Sequence, residues 1–197
     1  MKVCGLRTAG DVEAATRAGA DAVGFVLFQE SPRAVRPDLA ARLIAEADIP
    51  SFILTVDASA TELLDLAAFT GASGVQPYGA DSADAAAAAR RAGLRVLRPR
   101  KVIEDMTLDD IADDQIPLLD TSVEGLHGGT GVRFDPALLP AIERDWVMAG
   151  GLDPDNVAEA MRTVRPWGVD ASSRLESSPG HKDHELIAAF VREAKST

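Results

Sequence analysis

Short apolar runs rich in β-branched residues alternate along this chain with longer stretches in which apolar and polar positions recur at helical spacing. The runs predict strands over 1–4, 21–27, 51–56, 73–76, 94–98, 116–120, 145–149 and 167–170. The amphipathic, alanine-rich stretches predict helices over 9–19, 37–47, 59–70, 81–92, 106–114, 135–143, 154–164 and 182–194. Asp11, Asp38, Ser59 and Asp81 suit early-helix or capping positions, and Gly19, Gly71 and Gly93 fall where helices should stop. Eight strand–helix pairs in 197 residues leave roughly 25 residues for each, room for a strand, a short helix and two tight loops. Strict alternation predicts a parallel sheet, and eight units predict its closure into a (β/α)8 TIM barrel of the α/β class. The alternative is an open doubly wound sheet, which usually has fewer strands and a glycine fingerprint after the first. Gly5-Leu6 followed by Asp11-Val12-Glu13-Ala14 parallels Gly151-Leu152 followed by Asn156-Val157-Ala158-Glu159-Ala160, as a repeated β-α unit would. No Pro/Ser-rich linker divides the chain, so residues 1–197 read as a single domain.

Composition narrows the classes. With 46% hydrophobic residues the chain can bury a proper core. Its net charge of −11 argues against nucleic acid as partner, because phosphate backbones need a basic face. It leaves room for a small anion held by a few local donors. No apolar run approaches the roughly 18 residues of a membrane span. The start runs directly into a strand and gives no sign of a signal peptide. The one cysteine permits no internal disulfide, which fits a reducing cytoplasm.

Candidate chemistry collects just after predicted strands, at the end where barrels keep their sites. Cys4 ends the first strand and is followed by Gly5, Ser31-Pro32-Arg33 follows the second, and Asp120 ends the sixth. Gly128-Gly129-Thr130-Gly131 comes next, Gly150-Gly151 follows the seventh strand, and Ser172-Ser173 follows the eighth. Taken singly, each has a plain reading: Cys4 as a small buried hydrophobe, Asp120 as a turn cap, Arg33 as a solvated cation, the glycines and serines as ordinary turns. Taken together, Gly150, Gly151, Ser172 and Ser173 occupy the two loops in which barrels often bind phosphate. Asp120, partly desolvated at the mouth, suits a proton donor, and Cys4 with some thiolate character suits a base. Two groups of unlike acidity across one pocket fit an acid–base isomerisation. His127, His181 and His184 form no metal-ligand pattern, so no metal is assigned. Trp146 and Trp167 read as packing residues.

The ordered set Lys2-Val3-Cys4-Gly5-Leu6, Gly19-Ala20-Asp21-Ala22-Val23-Gly24-Phe25, Ser31-Pro32-Arg33, Leu118-Leu119-Asp120, Gly128-Gly129-Thr130-Gly131, Ala149-Gly150-Gly151-Leu152 and Gly168-Val169-Asp170-Ala171-Ser172-Ser173 resembles the phosphoribosylanthranilate isomerase family of tryptophan biosynthesis. The resemblance implies a (β/α)8 barrel that performs an Amadori rearrangement without cofactor on a small phosphorylated substrate. It implies Asp120 as general acid, Cys4 as general base, Arg33 on the anthranilate carboxylate, and Gly150, Gly151, Ser172 and Ser173 on the phosphate. A monomer or homodimer in the cytoplasm, with neither nucleic acid nor membrane as partner, is expected. Other readings are a different sugar-phosphate isomerase or epimerase on the same barrel, or a non-catalytic phosphosugar-binding protein. Two segments depart from the family pattern. Where Val-Gln-Leu-His-Gly is usual the chain has Val75-Gln76-Pro77-Tyr78-Gly79, and where Ser-Ser-Gly-Val-Glu is common Arg174 stands in the glycine position.

Overall fold

A computed structural model describes residues 1–120, 138–139 and 141–196. In chain order the elements are β1 (Lys2–Cys4), α1 (Ala9–Ala18), β2 (Ala22–Val26), α2 (Pro37–Glu46), β3 (Ser51–Val56), α3 (Ala60–Thr70), β4 (Gly74–Tyr78), α4 (Ser82–Arg91), β5 (Arg95–Lys101), β6 (Ile116–Asp120), β7 (Val147–Ala149), α5 (Val157–Val164), β8 (Gly168–Ala171), β9 (Glu176–Ser178), β10 (His181–Lys182) and α6 (His184–Lys195). Strands β1 to β8 pair in sequence order, all parallel, and β8 returns to β1 through Lys2↔Asp170 and Val3↔Ala171. The predicted closed barrel is therefore the observed one.

Local chemistry sets the helix boundaries. Thr8 caps α1 and forms a capping box with Asp11; Ser59 and Glu62 do the same for α3. Each box satisfies two backbone donors that a helix start leaves open and contributes about 1 kcal/mol. Gly19 and Gly71 end these helices with φ of 85° and 73°. Asp183 caps α6 by accepting from the backbone N–H groups of Glu185 and Leu186.

Alternation along each strand sorts side chains into two layers. Val3, Val23, Phe25, Ile53, Val75, Val96, Leu119 and Met148 face the helices and form the main core. Phe52, Leu97, Leu118 and Val147 fill the barrel interior. On the same inward face, nearer the carboxyl ends of the strands, the interior turns polar.

Several boundaries differ from the sequence reading. Residues 106–114, predicted helical, form turns. That stretch carries Asp109, Asp110, Asp113 and Asp114, poor helix formers that would repel at i, i+4 spacing. Instead Arg100 pairs with Asp110, Arg90 with Asp114 and Arg144 with Asp113. Met106 and Leu108 still pack on the core, and Ile111 is buried. Of the predicted helix over 135–143, residues 138–139 and 141–143 are described, and none of them is α-helical. The β9–β10 hairpin was not anticipated. Trp146 is buried as expected, but Trp167 is 60% exposed, because it stands before β8 at the rim rather than within the strand.

Candidate active site

The carboxyl ends of the strands enclose a cavity of about 350 Å³. Cys4, Arg33, Asp120, Gly150, Gly151, Ser172 and Ser173 all line it, so the structure gathers these seven candidates around one space. Gly128-Gly129-Thr130-Gly131 and His127 lie outside the described residues.

Cys4 ends β1 on the inward face, 3% exposed, with its sulfur on the cavity. Gly5 follows with φ +75°, and a side chain there would collide with Arg33 Cδ at 2.8 Å and Ser172 Oγ at 3.0 Å. The glycine thus brings three candidate residues together. Ser172 Oγ donates to the Cys4 carbonyl at 3.1 Å, which ties the loop after β8 to the end of β1. Burial pushes the Cys4 thiol above its ordinary value; Lys2 and Lys182 pull it down, and Asp170 adds to the upward push.

Lys2 lies one inward position below Cys4. Its ammonium donates to Asp170 at 3.0 and 3.1 Å and to Gln76 Oε1 at 3.0 Å, and all three side chains are buried. Burial works against the Lys2 charge, but Asp170 and Cys4 together more than compensate, and the Lys2 pKa is raised. Burial pushes Asp170 upward as well, against the pull of Lys2. A carboxyl with both oxygens on an ammonium favours the ion pair, and we read the two as charged.

Arg33 belongs to a second buried cluster. Its Nε donates to Glu176 Oε1 at 2.7 Å and its Nη2 to Oε2 at 2.8 Å. Lys182 Nζ donates to Glu176 Oε1 at 2.9 Å and to the Ser172 carbonyl at 2.8 Å. Burial opposes the Glu176 carboxylate, but these donors hold it below its ordinary range. One edge of the Arg33 fork is therefore engaged by Glu176, and the Nη1–Nη2 end remains for a second carboxylate.

Asp120 ends β6 beside Ala149 of β7 and Lys101 of β5. Gly150 and Gly151 follow with φ of 95° and 66°, a course that suits glycine and exposes backbone to a ligand. Ser173 begins a short 3-10 turn, and Arg174 in it binds Asp153 through Nε at 3.0 Å and Nη2 at 2.6 Å. Arg174 does not have positive φ, so the residue that replaces the family's glycine is unstrained. Pro77 is accommodated too. Its nitrogen faces β5, and the ladder with β5 already ends at Val75↔Val96.

Sequence reasoning missed Lys2, Gln76, Asp170, Glu176 and Lys182. The signal for Lys2 was parity: it shares the inward face with Cys4, two positions away. Among the described residues, no group of three or more His, Cys, Asp or Glu side chains gathers for a metal ion, and no helix is long and apolar enough to cross a membrane.

Comparison with known proteins decides the family. The model of the family described as N-(5'phosphoribosyl)anthranilate (PRA) isomerase matches residues 1–193. This chain belongs to that family. The N-(5'-phosphoribosyl)anthranilate isomerase of Geobacter sp. (strain M21) is 42% identical, over 99% of this chain and 97% of the relative. The crystal structure of phosphoribosyl anthranilate isomerase from Thermotoga maritima superposes with a TM-score of 0.86 at 32% identity, covering 100% of this chain and 98% of that one. A phosphoribosyl anthranilate isomerase in complex with reduced 1-(o-carboxyphenylamino)-1-deoxyribulose 5-phosphate superposes with a TM-score of 0.81 at 29% identity, again covering 100% and 98%. Within the phosphoribosylanthranilate isomerase family, then, this chain keeps the eight-stranded barrel, with Tyr78 ending β4 at the histidine position of the family pattern given above.

Proposed function

We propose that the protein catalyses the Amadori rearrangement of N-(5-phosphoribosyl)anthranilate to 1-(2-carboxyphenylamino)-1-deoxyribulose 5-phosphate, without a cofactor. The observation that carries this reading is the shared cavity of Cys4 and Asp120, flanked by the Gly150-Gly151 and Ser172-Ser173 loops. Asp120 protonates the ribose ring oxygen, and the ring opens to a Schiff base. The protonated imine makes the C2–H acidic, so a modest base suffices. The Cys4 thiolate takes that proton, the electron pair becomes the C1=C2 bond of an enolamine, and the imine nitrogen is neutralised. Ketonisation then moves the O2 proton off and places one on C1.

Gly150, Gly151, Ser172 and Ser173 hold the phosphate through backbone N–H groups and hydroxyls. Arg33 holds the anthranilate carboxylate with the end of its guanidinium that Glu176 leaves open. The chain acts as one domain over residues 1–197, in the cytoplasm, as a monomer or homodimer.

Turnover of phosphoribosylanthranilate by the purified protein tests the assignment. Cys4→Ala and Asp120→Asn should each lower kcat/KM by at least about 100-fold, the share of one general acid or base. Wild-type rates in both variants would reject it.

A further inference from the structure

Gln76 and Tyr78 lie on the inward face of β4, two positions apart, and both line the cavity. Lys2 Nζ approaches Gln76 at 3.0 Å. An ammonium only donates, so the amide must turn its Oε1 toward Lys2 and its Nε2 away. That Nε2 donates to Tyr78 Oη at 2.7 Å. The chain Lys2 → Gln76 → Tyr78 thus runs in one direction, anchored at the buried Lys2–Asp170 pair. Each donated bond polarises the next donor.

The consequence falls on the phenol. Its oxygen already accepts from Gln76, and its single proton makes no hydrogen bond within the described residues. Burial keeps that proton on the oxygen, and Cys4 and Asp170, which line the same cavity, act in the same direction. A protonated, oriented donor therefore shares the cavity with the residue that takes the C2 proton.

We propose that Tyr78 is a substrate-facing donor whose hydroxyl binds the oxygen on C2, the carbon that Cys4 deprotonates. The inference rests on the isomerase reading and adds a residue to it. Tyr78 keeps its proton throughout. Its hydrogen bond draws electron density from the C2 oxygen, which favours loss of the C2–H and then stabilises the emerging ketone. The phenol thus replaces the imidazole usual in the family with a group that donates only, since Gln76 has already claimed its acceptor.

Tyr78 is the single tyrosine of the chain, so 3-fluorotyrosine incorporation places one fluorine label, beside this hydroxyl. The 19F resonance should shift on titration with reduced 1-(o-carboxyphenylamino)-1-deoxyribulose 5-phosphate and stay unmoved by inorganic phosphate. Tyr78→Phe should lower kcat/KM about tenfold or more, the size of one buried hydrogen bond, and weaken the analogue by a similar factor while leaving phosphate affinity unchanged. A resonance indifferent to the analogue, or a Phe variant within twofold of wild type, overturns the proposal. Absence of turnover in the wild type would instead remove the isomerase reading. The fluorine titration needs no turnover and would still decide whether the hydroxyl meets a bound ligand.

Discussion

Arg33 and Glu176, 143 positions apart in sequence, meet in a two-pronged contact of 2.7 and 2.8 Å at the mouth of the barrel. Glu176 fixes the plane of the guanidinium and hence the direction of its open end. Glu176→Gln keeps the shape and removes the charge. KM should rise about tenfold with kcat little changed, because a charge-assisted bond that orients the fork is lost; steady-state kinetics with an unaltered KM would refute this. Stability should fall too, by about 1–3 kcal/mol at neutral pH, since Lys182 keeps no buried carboxylate partner. The sign follows from the depressed Glu176 pKa: its contribution is present above the unfolded-chain value and vanishes as pH falls through the folded one. Wild type and variant should therefore converge in melting temperature at acid pH.

Cys4 is the only cysteine, so alkylation reports on it alone. Burial raises its pKa, and only the thiolate reacts. The iodoacetamide rate should climb about tenfold per pH unit through neutrality and continue beyond the ordinary thiol range, near pH 8.5. A plateau at or below pH 7 would contradict the burial argument.

Gly24 lies opposite Cys4 in the β1–β2 ladder. A Cβ at that position would stand 2.8 Å from Cys4 Sγ and 3.1 Å from Lys2 Nζ. Lys2 has no slack, for it is committed to Asp170 and Gln76. Gly24→Ala should displace the sulfur, costing about 1–3 kcal/mol in chemical denaturation through overpacking and at least tenfold in kcat/KM. Phosphate affinity, set by other loops, should not change. An active, fully stable Ala variant would show that the interior gives way more easily than its packing implies.

Arg174 joins the loops after β7 and β8 through Asp153. Restoring the family's glycine with Arg174→Gly relieves no strain, because the backbone there is already ordinary. The change should destabilise by about 1 kcal/mol, a modest value because the guanidinium is partly exposed. It should also weaken inorganic phosphate binding through loosening of the two loops. A more stable Gly variant would speak against this account.

Much of the architecture was legible in the alternation itself, since a strand–helix period repeated eight times leaves few closures open. Gly19, Gly71 and Ser59 marked boundaries because their conformational and capping roles are local. The helix expected over 106–114 failed where charge overruled apolar spacing: Asp110 and Asp114 found arginines outside the segment. The hairpin of β9 and β10 is too short for a period to register. Site residues next to glycine-rich turns could be picked out. The residues that orient them could not, because Glu176 and Gln76 look like any polar residue until the fold places Arg33, Lys2 and Tyr78 against them.

The pairing of residue 2 with residue 170 also bears on synthesis. While the chain emerges from the ribosome, the lysine of the first barrel strand lacks its Asp170 partner until the eighth strand is made. Closure is thus a late, long-range event. A nascent chain released early would carry an unclosed seam between its first strand and the last one made, an edge open to pairing with another molecule.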